Sequence, residues 1–181
     1  MPSHVAFLRA INVGGRRASR DQLTACLEGL GFENVATFRA SGNLIFDAPR
    51  RSESALTKRI DRALTESLGY DVRAFIRTAA QVRAIAAHDP FPPSVVDASA
   101  GRLQVALLAE EPTAGARKAA LAIATDRDPL AFRGRELYWL PAGRTMETDL
   151  DLRALDKLVG ENTRRTKGMI EEIAAKFLER A

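Results

Sequence analysis

The chain has 181 residues, 46% of them hydrophobic, and a formal net charge of +4. That supplies one sizeable core or two small ones packed together, while no apolar run approaches the roughly 20 residues of a membrane-spanning helix. The only cysteine, Cys26, excludes an internal disulfide and a thiolate metal cluster within one chain; with "VAFL" cut short by Arg9, no signal-peptide pattern appears, and the expected location is a reducing cytoplasm.

"HVAFLRAINV" is a near-continuous apolar run and predicts a central strand, covered on both faces or on one face plus an edge. "SRDQLTACLEGLGF" predicts a helix. Ser19 and Gln22 have capping-box spacing, Leu23, Cys26, Leu27 and Leu30 make one stripe, and Gly31 is a natural stop. "VATFRA" and "LIFDA" predict two strands joined at Ser41-Gly42-Asn43. Leu56, Ile60, Leu64 and Leu68 recur every four residues, the buried face of a second helix ended by Gly69, and "DVRAFIRT" follows as a fourth strand. Residues 1–78 therefore read β-α-β-β-α-β, a split βαβ (ferredoxin-like) subdomain whose right-handed crossovers give the sheet order 4-1-3-2.

Residues 79–181 predict a second, looser ferredoxin-like subdomain. "AAQVRAIAAH" is a short helix stopped at Asp89-Pro90, and "FPPSVVDASAG" is a connection between subdomains. "RLQVALLAE" is a strand, "AGARKAALAIA" a helix, and "PLAFRG" and "RELYWLP" a hairpin about Arg133-Gly134-Arg135. "LRALDKLVG" is a helix, and a last helix from about Thr166 to Leu178 puts Ile170, Ile173, Ala174, Phe177 and Leu178 on one face. The order is β-α-β-β-α plus a C-terminal helix. No sequence repeat links the halves. The expected fold class is α+β.

The charge is uneven. Residues 1–78 hold 12 Lys+Arg against 8 Asp+Glu, whereas residues 79–181 hold 15 of each. A basic first half attracts phosphate or nucleic acid. Only five of the 27 basic residues are Lys, so an Arg-rich coding composition is the simpler source of the excess.

Topology gives these residues a shared address. In a split βαβ unit the exit of the first strand and the turn between the second and third lie at one sheet end. Asn12, Gly14, Gly15, Arg16 and Arg17 are thus expected beside Ser41, Gly42 and Asn43. A glycine pair lets backbone approach a ligand, and a helix start with arginines suits an anion. Arg9, Arg16 and Arg17 would supply charge, the Gly14 and Gly15 amides and Asn12, Ser41 and Asn43 directed bonds. The same residues also serve a tight strand-to-helix connection and a positive-φ turn, with the arginines facing water. "VGGRR" is neither G-x-G-x-x-G nor a Walker A loop.

"FLRAINVGG", "GFENVATFRASGNLIF" and the late "TRRTKGMIEEIAAKF" together resemble the DUF1697 family of bacterial proteins of unknown function. The match carries over to Leu8, Arg9, Ile11, Asn12, Val13, Gly14 and Gly15, to Thr37, Ser41, Gly42, Asn43 and Phe46, and to Thr163, Arg164 and Arg165. It departs at Ala10, where the family usually has glycine, and at Phe38, where tyrosine is common. The resemblance implies two ferredoxin-like subdomains and no established activity.

Other chemistry is thin. His4 and His88, on a strand and at a helix end, read as structural or exposed. Cys26 lies on an apolar stripe and reads as an inert thiol. Glu147, Asp149 and Asp151 precede a helix and complement its start more simply than they bind Mg²⁺. Tyr138 and Trp139 are adjacent in a hairpin strand and face opposite ways; an outward one could stack on a base, but with only 6% aromatics core packing is expected to claim most of them. Phe7 and Phe46 occupy the two strands on which RNA-recognition sheets carry aromatics. Thr163, Arg164, Arg165 and Lys167 form a basic cluster expected just before the last helix, near its start, held by an internal carboxylate, by an anion or by water alone. The leading function is binding of a phosphate-bearing small molecule through Arg9, Asn12, Gly14, Gly15, Arg16, Arg17, Ser41, Gly42, Asn43, Arg164 and Arg165. The alternatives are RNA or DNA binding by the basic half, and an enzyme working between the lobes. No cofactor and no metal are expected, and neither a catalytic residue nor an oligomeric state follows from the sequence.

Overall fold

Apolar side chains on both sides of Ser3–Arg9 (β1) demand cover on both faces, and β1 is accordingly an interior strand. The structure, a computed structural model, describes residues 1–40 and 42–178. The chain then runs through α1 (Arg20–Gly29), β2 (Glu33–Thr37), β3 (Asn43–Asp47), α2 (Glu53–Leu68), β4 (Arg73–Thr78), α3 (Ala79–Ala86) and α4 (Pro93–Ala98). It continues with β5 (Gln104–Leu108), α5 (Ala114–Leu121), β6 (Leu130–Arg133), β7 (Glu136–Trp139), a 3-10 turn at Thr145–Glu147, α6 (Leu152–Val159), β8 (Asn162–Thr166) and α7 (Lys167–Phe177). Two compact units result: Met1–Arg83 with the described residues from Ile173 on, and Ala84–Glu172.

The first unit's sheet has the order β2-β3-β1-β4, all neighbours antiparallel. This is the 4-1-3-2 order expected from the sequence. One sheet face (Ala6, Leu8, Leu44, Phe46, Ala74, Ile76) packs on Leu23 and Leu27 of α1 and on Leu56, Ile60 and Leu64 of α2. Both helices begin with side-chain caps: Ser19 and Gln22 form a reciprocal capping box, and Ser52 Oγ accepts from the Ala55 amide at 3.2 Å. The other face is buried too, with Val5 and Phe7 at 0% exposure and Phe75 at 4%.

The second unit repeats the plan with the order β6-β7-β5-β8, again antiparallel. Its core joins Ala106, Leu108, Leu137 and Trp139 to Ala120 of α5 and Leu155 and Val159 of α6. Asp151 caps α6, its Oδ1 accepting from the Ala154 amide at 2.9 Å, which is the helix-start role expected of that acidic cluster. Two expectations need correction. "FPPSVVDASAG" is not only a connection, since Pro93–Ala98 forms a short helix, exposed along its length. The segment just before the last helix, to which the sequence reading gives no element, is a whole strand: β8 pairs with β5 from Gln104↔Thr166 to Leu108↔Asn162. A polar segment becomes a strand here because the open edge of β5 leaves backbone groups to be satisfied.

The missing repeat is visible in the structure. Val5 of β1 lies opposite Arg77 of β4, and Val105 of β5 lies opposite Arg165 of β8. Each arginine is buried, and each donates Nη1 to the carbonyl of the residue before it, at 2.9 and 2.8 Å. Each is followed by a threonine whose Oγ1 accepts from an amide three residues on, Gln81 and Met169, at 3.2 and 3.3 Å. Arg-Thr at the last strand's end thus starts a helix in both units.

Candidate functional site

The two loops converge. β1 and β3 pair in register through Phe7↔Asn43, and beyond that pair the Leu8 amide donates to the Gly42 carbonyl at 2.8 Å. Asn12 ties the rest. Its Nδ2 donates to the Ala40 carbonyl at 3.0 Å and its Oδ1 accepts from the Ala18 amide at 2.8 Å. Val13–Arg16 closes as a turn (Arg16 N to Val13 O, 3.0 Å) with Gly14 at φ 58° and Gly15 at φ 82°, as in a type I′ reversal. Left-handed backbone is concentrated at this rim: Ala10 (φ 59°), Asn12 (φ 54°) and Arg39 (φ 58°) join the two glycines and Gly42 (φ 74°). A non-glycine residue there carries about 1–2 kcal/mol of strain. The glycine that the family usually has at position 10 matches this geometry.

The directed donors expected from the sequence are largely engaged. Asn12 uses both ends of its amide. Asn43 is fully buried and donates Nδ2 to the Phe38 carbonyl at 2.8 Å. The capping box engages the Ser19 and Gln22 amides at the start of α1. Ser41 lies outside the described residues. What remains at the rim is charge and glycine backbone. Arg9, Arg16 and Arg17 are exposed. Among the described residues, Arg9 and Arg17 make no ion pair or side-chain hydrogen bond, and Arg16 sits 5.0 Å over the Tyr70 ring. The Tyr70 hydroxyl is buried with no partner among the described residues.

Arg39 and Arg73 belong to the same rim and were missed. Arg73 lies directly opposite Arg9 across β1–β4, and Asp61 Oδ2 is 3.6 Å from its Nη1. Arg39 lies 5.4 Å over the Phe38 ring, which also carries Lys176 at 5.0 Å and Phe177 edge-on at 5.8 Å. Antiparallel pairing alone places the first residue of the fourth strand beside the last of the first, so that placement of Arg73 was available from the sequence.

Arg164 and Arg165 lie just before α7, as expected, and belong to β8 of the second unit's sheet. Arg164 pairs with Asp156 of α6, the internal-carboxylate alternative. Arg165 is buried beside Thr163 Oγ1 at 2.9 Å; burial pushes its pKa down to about 10, which leaves it charged at neutral pH. Neither is an exposed anion donor. Tyr138 and Trp139 are both buried, Trp139 donating Nε1 to Asp128 Oδ1 at 2.9 Å and Tyr138 edge-on to His88 at 5.1 Å, so packing claims both and neither is an outward aromatic. Phe7 and Phe46 are likewise fully buried. Burial pushes the Cys26 thiol up and the His4 imidazole down, which opposes a ready thiolate and a charged histidine.

The second unit provides an internal comparison. Its Leu108 amide donates to the Arg135 carbonyl at 3.0 Å, the counterpart of Leu8 and Gly42. There the arginines are spent on the protein. Arg117 pairs with Glu111 and donates to the Gly134 carbonyl at 2.9 Å, and Arg135 Nη1 donates to the Ala109 carbonyl at 3.3 Å.

A chain of two split βαβ units, each closing on an Arg-Thr step into a helix, defines a tandem ferredoxin-like α+β protein. A solved structure, the conserved bacterial protein SP0830 from Streptococcus pneumoniae, has the same fold: TM-score 0.72 over 97% of each chain at 16% identity. The chain belongs to the DUF1697 family, described as proteins of unknown function, whose model matches residues 1–138. The "TRRTKGM" segment lies beyond that match. No protein of curated function matches the chain. Among the described residues no helix is long and apolar enough to cross a membrane, and among them no group of three or more His, Cys, Asp or Glu is placed to hold a metal ion.

Proposed function

We propose that the first unit binds a phosphate-bearing small molecule at the rim formed by the β1–α1 loop and the β2–β3 turn. The observation that carries this reading is the contrast between the two equivalent rims. In the second unit the rim arginines are absorbed by a carboxylate and by carbonyls. In the first, Arg9, Arg16 and Arg17 remain exposed on a loop held in costly left-handed backbone, and such strain clusters where a site requires it. The Gly14 and Gly15 amides would add bonds to phosphate oxygens, since nothing stands within 4 Å of either glycine's Cβ position.

Thermal unfolding in the presence of AMP, ribose 5-phosphate and pyrophosphate tests the proposal. At 100 times Kd one site is expected to add about 2.7 kcal/mol, and an Arg9→Gln, Arg16→Gln, Arg17→Gln variant that melts normally without ligand should lose that share of the gain. No gain with any of the three compounds rejects it. The nucleic-acid alternative predicts binding that weakens steeply with salt. The buried Phe7, Phe46 and Phe75 withhold the sheet aromatics that an RNA-recognition surface would use, so that alternative also rests on the rim arginines.

A further inference from the structure

A cleft of about 370 Å³ opens in the second unit, between the segment entering β5 and the segment leaving β7. Arg102, Gln104, Arg144, Thr145 and Thr166 line it, and no acidic residue does. Among the described residues neither Arg102 nor Arg144 forms an ion pair. Arg102 and Arg144 bring two positive charges to one cleft, with the Glu147 carboxylate beside its Gly143 wall (Oε2 3.6 Å from that glycine's Cβ position), and a dianion matches the charge that a single carboxylate leaves over.

The cleft wall is fixed. Ser99 Oγ donates to the Pro141 carbonyl at 2.6 Å and accepts from the Gly101 amide at 3.0 Å. A Cβ on Gly101 would overlap the Pro141 carbonyl oxygen, so the two segments pack backbone to backbone at a distance only glycine allows. Gln104 Nε2 donates to the Arg102 carbonyl at 2.8 Å, holding the strand entry that carries Arg102. The Thr166 hydroxyl accepts from the Met169 amide, which leaves its own proton to give.

From this geometry we infer that the second unit holds an independent site for a phosphate monoester, a sugar phosphate or mononucleotide, gripped by Arg102 and Arg144. A guanidinium matches two phosphate oxygens in fork geometry. The volume is that of a small-ligand pocket, within roughly 300–1,000 Å³, and exceeds what a bare phosphate fills.

Titration of ¹⁵N-labelled full-length protein with ribose 5-phosphate, AMP, inorganic phosphate and ribose tests it. Ribose 5-phosphate or AMP should move the Gly101, Arg102, Thr145 and Thr166 amides saturably, with ribose inert and inorganic phosphate weaker. Arg102→Gln and Arg144→Gln should each weaken that response about tenfold or more, and Arg16→Gln with Arg17→Gln should leave it unchanged. Both cleft substitutions are at exposed positions, and an unchanged amide spectrum elsewhere verifies the fold. No saturable shift in these amides, indifference to both cleft substitutions, or phosphate binding as tightly as its esters overturns the inference. Loss of the first unit's rim response alone leaves it standing.

Discussion

Gly42 answers two demands at once, and the other rim glycines answer one. All of Gly14, Gly15 and Gly42 have positive φ, but only at Gly42 would a Cβ meet neighbours, Ile11 Cγ2 at 2.5 Å and Leu8 Cβ at 3.0 Å. Alanine at 14 or 15 should therefore cost about 1–2 kcal/mol of left-handed strain. Alanine at 42 should add an overpacking cost of about 1–3 kcal/mol. Urea unfolding of the three variants checks the order, and equal losses would show that the convergence of the loops is looser than described. At this scale the sequence disclosed where residues would meet and not what their side chains would do. Asn12 and Asn43 are polar residues in loops, equally suited to a ligand or to a neighbouring carbonyl. In the fold the carbonyls of Ala40 and Phe38 and the amide of Ala18 take them.

Among the elements, legibility followed hydrophobic periodicity. α2 announces itself through Leu56, Ile60 and Leu64, each fully buried, and β1 through its apolar run. β8 has neither signal: Asn-Thr-Arg-Arg-Thr offers no apolar alternation, and the strand exists through its ladder with β5. Another non-local device holds the β6–β7 hairpin. Asp128, 3% exposed, accepts from Trp139 Nε1 at 2.9 Å and from Thr148 Oγ1 at 2.7 Å, joining the loop before β6 to β7 and to the loop after it. Asp128→Ala strands a buried indole N–H and should cost about 2–3 kcal/mol. Trp139 is the sole tryptophan, so its emission during urea unfolding reads this loss directly. A midpoint unmoved by the substitution would mean that the buried carboxylate does not hold the hairpin.

For the whole molecule, fold class and first-unit sheet order were readable because each crossover has one favoured hand, whereas the return of the chain's end to the first unit was not. Ile173 and Leu178 are buried, Phe177 meets Phe38, and Arg83 Nη1 donates to the Leu178 carbonyl at 2.8 Å. A chain ending at Glu172 forfeits that burial, roughly 1.5–3 kcal/mol for each large apolar side chain. Hydrogen exchange should then quicken in β1 to β4 of the first unit; unchanged protection there would contradict the assignment of this segment. The arrangement also sets a schedule for synthesis. The first unit's opening 83 residues leave the ribosome early, yet the segment that completes them is made only after the 89 residues of Ala84–Glu172. At roughly 5–20 residues per second that interval is about 4–18 s, during which the nascent N-terminal half waits without its final helix turn and is open to capture by chaperones.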